Sequence, residues 1–254
     1  MFREDTLDRP PAVPSWQSFV VDQGWSEFTD EDHAVWDLLY ARQVALLQGR
    51  VVTPFLDGLD LLDLGAPGIP NLDRLNARLH ARTGWRAVAV PGLVPDLAFF
   101  AMLAERVFPV GNFIRTRAQL DYLEEPDCFH DIFGHVPMLA HPGMAAAIQH
   151  VGHVGMAAVA AGHSETVARL YWHTIEFGLA RENGQIRILG AGLASSFGEA
   201  PVSLENPALA RPRFTVADAA ATAYRHDAMQ PRYFVSDSVD SVVEDLSTLP
   251  LNFA

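Results

Sequence analysis

At 254 residues, with 49% apolar and 19% charged residues, the chain is long enough for one sizeable core, and a single domain is expected. A formal net charge of −13 argues against polyanionic partners, so neither nucleic acid nor an anionic membrane surface is expected to bind. The single cysteine, Cys128, forms no internal disulfide, the first residues lack a charged-then-apolar signal pattern, and no apolar run is read as approaching the roughly 18 residues that cross a bilayer, which points to a reducing, cytoplasmic setting.

Residues 1–28 are proline-rich and irregular, an arm anchored by Trp16 and Trp25. Thr29 with Asp32 three residues on marks a helix start, and Val35, Leu38, Leu39, Ala45 and Leu46 then share one face. Residues 55–64 and 72–82 carry the same period, the second closed by Gly84, and a short strand follows at 86–90. Residues 97–108 are expected to form an apolar helix opened by Pro95 and Asp96, with Phe99, Phe100, Leu103 and Val107 facing a core. A short strand at 113–117 carries Arg115 and Arg117. Downstream come an alanine-rich helix at 142–161 and a helix at 164–182, capped by Ser164 and stopped by Gly184. A strand at 185–189, a glycine- and serine-rich turn, a helix at 216–225, a strand at 232–235 and a last helix capped by Ser236 or Asp237 complete the chain. The expected class is mainly α: packed helices with a few short strands, no internal repeat and no linker.

Chemistry concentrates in residues 113–142. His130 and His135 are five residues apart, about 140° around an ideal α-helix, so both reach one ion only if the second lies at a frayed helix end. Gly134 and Pro137 are read as that end. Asp127 and Asp131 flank the first histidine, and either can accept its second ring N–H. Arg115 is read either as half of a structural ion pair or as a bidentate grip for a substrate carboxylate. Glu176 lies between Ile175 and Phe177, and a carboxylate in such surroundings is paired, protonated or metal-bound. His150 and His153, three residues apart, are rival ligands without a carboxylate on their helix. No phosphate-loop or Rossmann glycine pattern occurs, so nucleotide binding is not indicated. Two histidines and one carboxylate, with the remaining coordination positions left to water, form the facial set of non-haem ferrous oxygenases, and His130, His135 and Glu176 would supply it.

Three stretches, GLVPDLAFFAMLAERVF, FIRTRAQLDYLEEPDCFHDIFGHVPML and LYWHTIEFGLARENGQIRILGAGLASSFGE, resemble the pterin-dependent aromatic amino acid hydroxylases, in order from about Gly84 to Leu246. Among members the resemblance is to the short bacterial form, and it implies that residues 29–254 are a single catalytic domain. It implies that His130, His135 and Glu176 bind Fe(II), that Arg115 holds the amino-acid carboxylate, and that Asp127 braces Arg115. Trp172, Phe177, Gly192 and Ser195 would line the substrate. Gly92, Leu93, Val94, Phe99, Asp131, Ala168 and Tyr171 would contact a tetrahydropterin. The implied reaction is monooxygenation of L-phenylalanine to L-tyrosine with O2. The chain departs from animal members at Asp96, Leu123, Asp131 and His226, which bears on cofactor contacts and ring specificity, while Trp172 favours phenylalanine or tyrosine over tryptophan. Animal members carry a regulatory domain and a tetramerisation helix that are not found here, so a monomer is expected. The alternatives are hydroxylation of another aromatic amino acid or ring position, a zinc hydrolase, which the absence of H-E-x-x-H disfavours, and a non-catalytic amino-acid-binding protein.

Overall fold

Thr29 and Asp32 close a reciprocal capping box at the start of α1 (Asp30–Leu47), as the spacing predicts. The computed structural model describes residues 15–121, 123, 125–225 and 228–252; His226 and residues 1–14 of the expected arm lie outside the described residues. Trp16 is buried in a small cluster with Val90, Ala98, Met102 and Val107, whereas Trp25 donates from Nε1 to the Ile69 carbonyl at 2.7 Å. Next come α2 (Thr53–Leu61) and α3 (Leu72–Thr83), the latter capped by Asn71 and ended by Gly84. β1 (Arg86–Val90) follows where the sequence places it.

The expected helix over 97–108 is two elements, α4 (Asp96–Ala104) and β2 (Val107–Gly111). Arg106 adopts φ 57°, a left-handed conformation that stops the helix. The Val-Phe-Pro-Val run beyond it cannot extend a helix through Pro109. β2 instead pairs parallel with β1, Arg86 opposite Val107 and Val90 opposite Gly111. No strand forms at 113–117; a 3-10 turn at Arg117–Gln119 starts from a capping box between Thr116 and Gln119.

The histidine helix is not stopped at Gly134 either. His130–His135 is a π-helical turn that runs directly into α5 (Val136–Leu139), with Pro137 tolerated in the first turn. Then come α6 (Pro142–Ala161) and α7 (Ser164–Tyr171), with His163 rather than Ser164 at the cap position. The expected continuation to residue 182 breaks into a second π turn, Trp172–Glu176, and a hairpin of β3 (Leu179–Glu182) and β4 (Gln185–Ile188). Asn183 at φ 50° and Gly184 at φ 78° form its tight turn, so Asn-Gly is a hairpin signal here and not a helix stop.

α8 (Ala191–Ser195) and α9 (Glu199–Glu205) occupy the glycine- and serine-rich segment. α10 is shorter than expected (Val216–Ala221), and β5 (Val235–Ser236) adds parallel to β3. Ser238, paired with Ser241, caps α11 (Val239–Ser247) in place of the expected Ser236 or Asp237.

α6 lies at the centre, packed against α4, α7 and α11. Contrary to the reading of the sequence, its 20 residues are long and apolar enough to cross a membrane by length and composition. The apolarity has a local cause: Ile148, Val151, Val154 and Ala158 are buried in the core. Beneath the first π turn, Phe129 and Phe133 stack at 4.9 Å, with Trp36 edge-on to Phe129 at 5.2 Å and Phe55 edge-on to Phe133 at 5.6 Å. This aromatic block fixes the orientation of the histidine face above it.

Nothing lies within 4 Å of a Cβ built on Gly184, so Gly184→Ala isolates the cost of its backbone angle. It is expected to destabilise by about 1 kcal/mol and lower Tm by about 2–4 °C, checked by thermal denaturation.

Candidate metal centre

Three side chains from the two π turns meet at one point. His130 Nε2 and His135 Nε2 are 3.3 Å apart, His135 Nε2 is 3.0 Å from Glu176 Oε2, and His130 Nε2 is 3.5 Å from Glu176 Oε1. Donor atoms about 2.1 Å from one metal are about 3.0 Å apart at right angles and about 3.4 Å apart at tetrahedral angles. The donor set therefore fits a single ion capped on one face. His135 and Glu176 are buried, at 6% and 8% exposure.

The far side of each imidazole is occupied. His130 Nδ1 lies 2.9 Å from Ser195 Oγ, and His135 Nδ1 lies 3.4 Å from the Tyr171 hydroxyl. A ring whose Nδ1–H is held this way turns the Nε2 lone pair toward the centre. Sequence reasoning gave that office to Asp127 or Asp131; neither side chain takes it. Burial holds the His130 imidazole below its ordinary pKa, leaving a neutral ring. Burial alone would raise the Glu176 carboxyl, but the adjacent His130 and His135 outweigh it and favour the carboxylate.

Asp131 is the competing carboxylate, since ligand atoms of His130, Asp131 and His135 lie within 4.8 Å of one another. Its Oδ2, however, accepts the Gly111 N–H at 2.7 Å, which ties it to the end of β2, and burial pushes its pKa up to about 7. Glu176 is the closer and better-ionised third donor. The rival pair is separated by its surroundings: His150 Nε2 bonds the Leu249 carbonyl at 2.9 Å, and His153 is exposed.

Asp127 is fully buried and accepts four bonds. Arg115 gives it the backbone N–H, Nε and Nη2, each at 2.9 Å, and His130 gives its backbone N–H at 3.0 Å. Burial would raise this carboxyl, yet the bonds from Arg115 hold it below the usual range. One carboxylate thus fixes both the guanidinium and the start of the first π turn.

Among the remaining residues singled out from sequence, Phe177 stacks on Trp172 at 5.1 Å. Gly192 faces the carboxylate itself: a Cβ there would stand 2.5 Å from Glu176 Oε1 and 2.9 Å from the Phe177 ring. Phe99 is edge-on to Tyr171 at 5.4 Å, and Ala168 lies half-buried one turn before Trp172. Gly92 faces Glu125, Leu93 is 77% exposed, and Val94 packs on the cluster around Trp16. Sequence reasoning also missed three contacts beyond those to the histidine Nδ1 atoms. Phe108, placed there in a helix, packs on His135 at 4.8 Å; Gln43 of α1 donates to the Ala194 carbonyl at 2.6 Å; Tyr224 lies on Trp172 at 4.3 Å. All three join residues far apart in the chain, where local periodicity carries no signal.

The sequence pattern of the biopterin-dependent aromatic amino acid hydroxylases matches residues 24–253. The phenylalanine-4-hydroxylase of Caulobacter vibrioides is 48% identical over 235 residues, which cover 92% of this chain and 79% of that protein. A crystal structure of Chromobacterium violaceum phenylalanine hydroxylase with bound iron(III) and 7,8-dihydrobiopterin superposes with a TM-score of 0.87 at 44% identity, covering 92% of this chain and 85% of that one. An iron- and phenylalanine-bound structure of the same enzyme gives a TM-score of 0.86 at 42% identity, with 91% and 84% covered. The chain belongs to the biopterin-dependent aromatic amino acid hydroxylase family.

Proposed function

We propose that this protein is a phenylalanine 4-monooxygenase, forming L-tyrosine from L-phenylalanine with O2, iron and a tetrahydropterin. The observation that carries the reading is the convergence of His130, His135 and Glu176 within 3.5 Å, with Asp127 linking that centre to Arg115. Ferrous iron and the reduced pterin supply, when bound, the electrons that activate dioxygen for insertion into the ring.

This chain's residues do the positioning. His130, His135 and Glu176 would hold the metal, supplying three protein donors and leaving its other positions to co-substrates. Arg115 grips the amino-acid carboxylate with the edge of the guanidinium that Asp127 leaves free, and so sets the distance between the amino acid and the metal. Trp172 and Phe177 form the wall against which the substrate ring lies, with Gly192 and Ser195 at its base. A tetrahydropterin would be held by Phe99, Tyr171 and Ala168 together with Gly92, Leu93, Val94 and the carboxyl of Asp131. Apolar side chains around His135, including Phe108, exclude water from the reacting groups. The same reading makes residues 29–254 the catalytic domain of a cytoplasmic monomer, and the free buried thiol of Cys128 suits a reducing compartment.

Glu176→Gln and His135→Ala are expected to lose bound iron, measured by metal analysis after gel filtration. Gly192→Ala, whose new methyl displaces the Glu176 carboxylate, should weaken iron affinity by about 10–100-fold in an anaerobic titration. Asp127→Asn leaves Arg115 without its buried counter-charge and is expected to cost about 3–5 kcal/mol in chemical denaturation. Arg115→Lys retains the charge but not the fork, so KM for phenylalanine should rise about tenfold with a smaller change in kcat, by steady-state assay of tyrosine. Wild-type KM in that variant would contradict the role of Arg115.

A further inference from the structure

Tyr224 lies beyond α10, whose C-terminal cap is Thr222. Its ring rests flat on Trp172, with centroids 4.3 Å apart and planes 20° from parallel. Phe177 stacks on the same indole at 5.1 Å and 30°. Trp172 Nε1 is buried and meets no acceptor among the described residues, so ring packing sets the plane of the indole.

The position of Tyr224 is itself imposed from behind. Gln230, 2% exposed, pairs with the backbone of the adjacent Arg225: its Oε1 accepts the Arg225 N–H at 3.1 Å, and its Nε2 donates to the Arg225 carbonyl. The Gln230 N–H in turn donates to Glu199 Oε1 at 3.0 Å, which also accepts the Tyr233 hydroxyl at 2.7 Å. Glu199 is buried at the start of α9, four residues after Ser195. A satisfied buried network of this kind holds one geometry rigidly. It fixes the segment that presents Tyr224 to Trp172.

We propose that Tyr224 is a positioning residue that sets substrate-ring specificity, acting through its stack on Trp172. The proposal rests on the assignment of Trp172 as the wall of the amino-acid pocket. With Tyr224 and Phe177 both stacked on it, the indole cannot swing away, and the wall it offers the amino-acid ring stays in place. Remove the stack and the wall yields: phenylalanine is held less tightly, and a bicyclic side chain gains room.

The test uses iron-loaded enzyme with Tyr224→Ala, Tyr224→Leu and Tyr224→Phe. Phenylalanine affinity is measured anaerobically by calorimetry without pterin, and kcat/KM for tryptophan and phenylalanine with it. Tyr224→Ala should raise the Kd for phenylalanine about three- to tenfold and raise the tryptophan-to-phenylalanine ratio of kcat/KM by a similar factor. Tyr224→Leu, which keeps bulk without a π face, should follow it. Tyr224→Phe, which keeps the stack, should match wild type in both readouts. Unchanged affinity and ratio in Tyr224→Ala and Tyr224→Leu would overturn the proposal, as would Tyr224→Phe being as impaired as Tyr224→Ala. Wild-type enzyme that binds no phenylalanine would overturn the hydroxylase reading as well, and that failure is visible before any variant is compared.

Discussion

The site depends on a backbone constraint: both segments that carry the proposed iron ligands are wound as π turns, His130–His135 and Trp172–Glu176. An α-helix would point His130 and His135 about 140° apart. An i→i+5 turn holds more residues per turn and brings side chains five apart toward the same side. Such a turn has poor intrinsic stability, so neighbours must impose it. Below the first are Phe129 and Phe133, locked against Trp36 and Phe55. Beside it, Gly134 lets the Ala191 carbonyl approach to where a Cβ would stand 2.8 Å away, docking α8 onto the turn.

Electrostatics explain why this packing tolerates so many buried polar groups. Those at the donor cluster are paired with one another: Asp127 with Arg115 and His130, Ser195 with His130, Tyr171 with His135, Glu176 with both rings, while the buried Trp172 Nε1 beside them has no acceptor among the described residues. An unpaired carboxylate at the depth of Asp127 would be strongly destabilising. Here it anchors the guanidinium and the first metal-facing histidine together. The separation between Arg115, the proposed carboxylate grip, and the histidine pair is therefore set through one residue.

Local signals in the sequence were sufficient where the structure is local. The Thr29 capping box, the close of α3 at Gly84, and β1 at Arg86–Val90 follow from spacing alone. Elements that depend on partners far along the chain were misread. Val107 and Phe108 looked like the end of a helix over 97–108 because their apolar spacing continues that of α4, and only pairing with β1 makes them the start of a strand. Residues 164–182 looked like one helix because a π turn and a hairpin carry the same apolar rhythm through Leu179. The histidine pair and Glu176 were legible as donors from their types and surroundings; their convergence needed the wider turns that no propensity announces. Ser195 was named as a pocket residue, but its contact with His130 Nδ1, like the stack of Tyr224 on Trp172, joins residues too far apart in the chain for local periodicity to show.

The most direct test is a crystal structure of the ferrous-loaded protein with anomalous data at the iron edge. The account predicts one anomalous peak bonded to His130 Nε2, His135 Nε2 and a carboxylate oxygen of Glu176, with the rest of the coordination sphere open to solvent. A peak held by Asp131 in place of Glu176, or lying near His150 and His153, would contradict it.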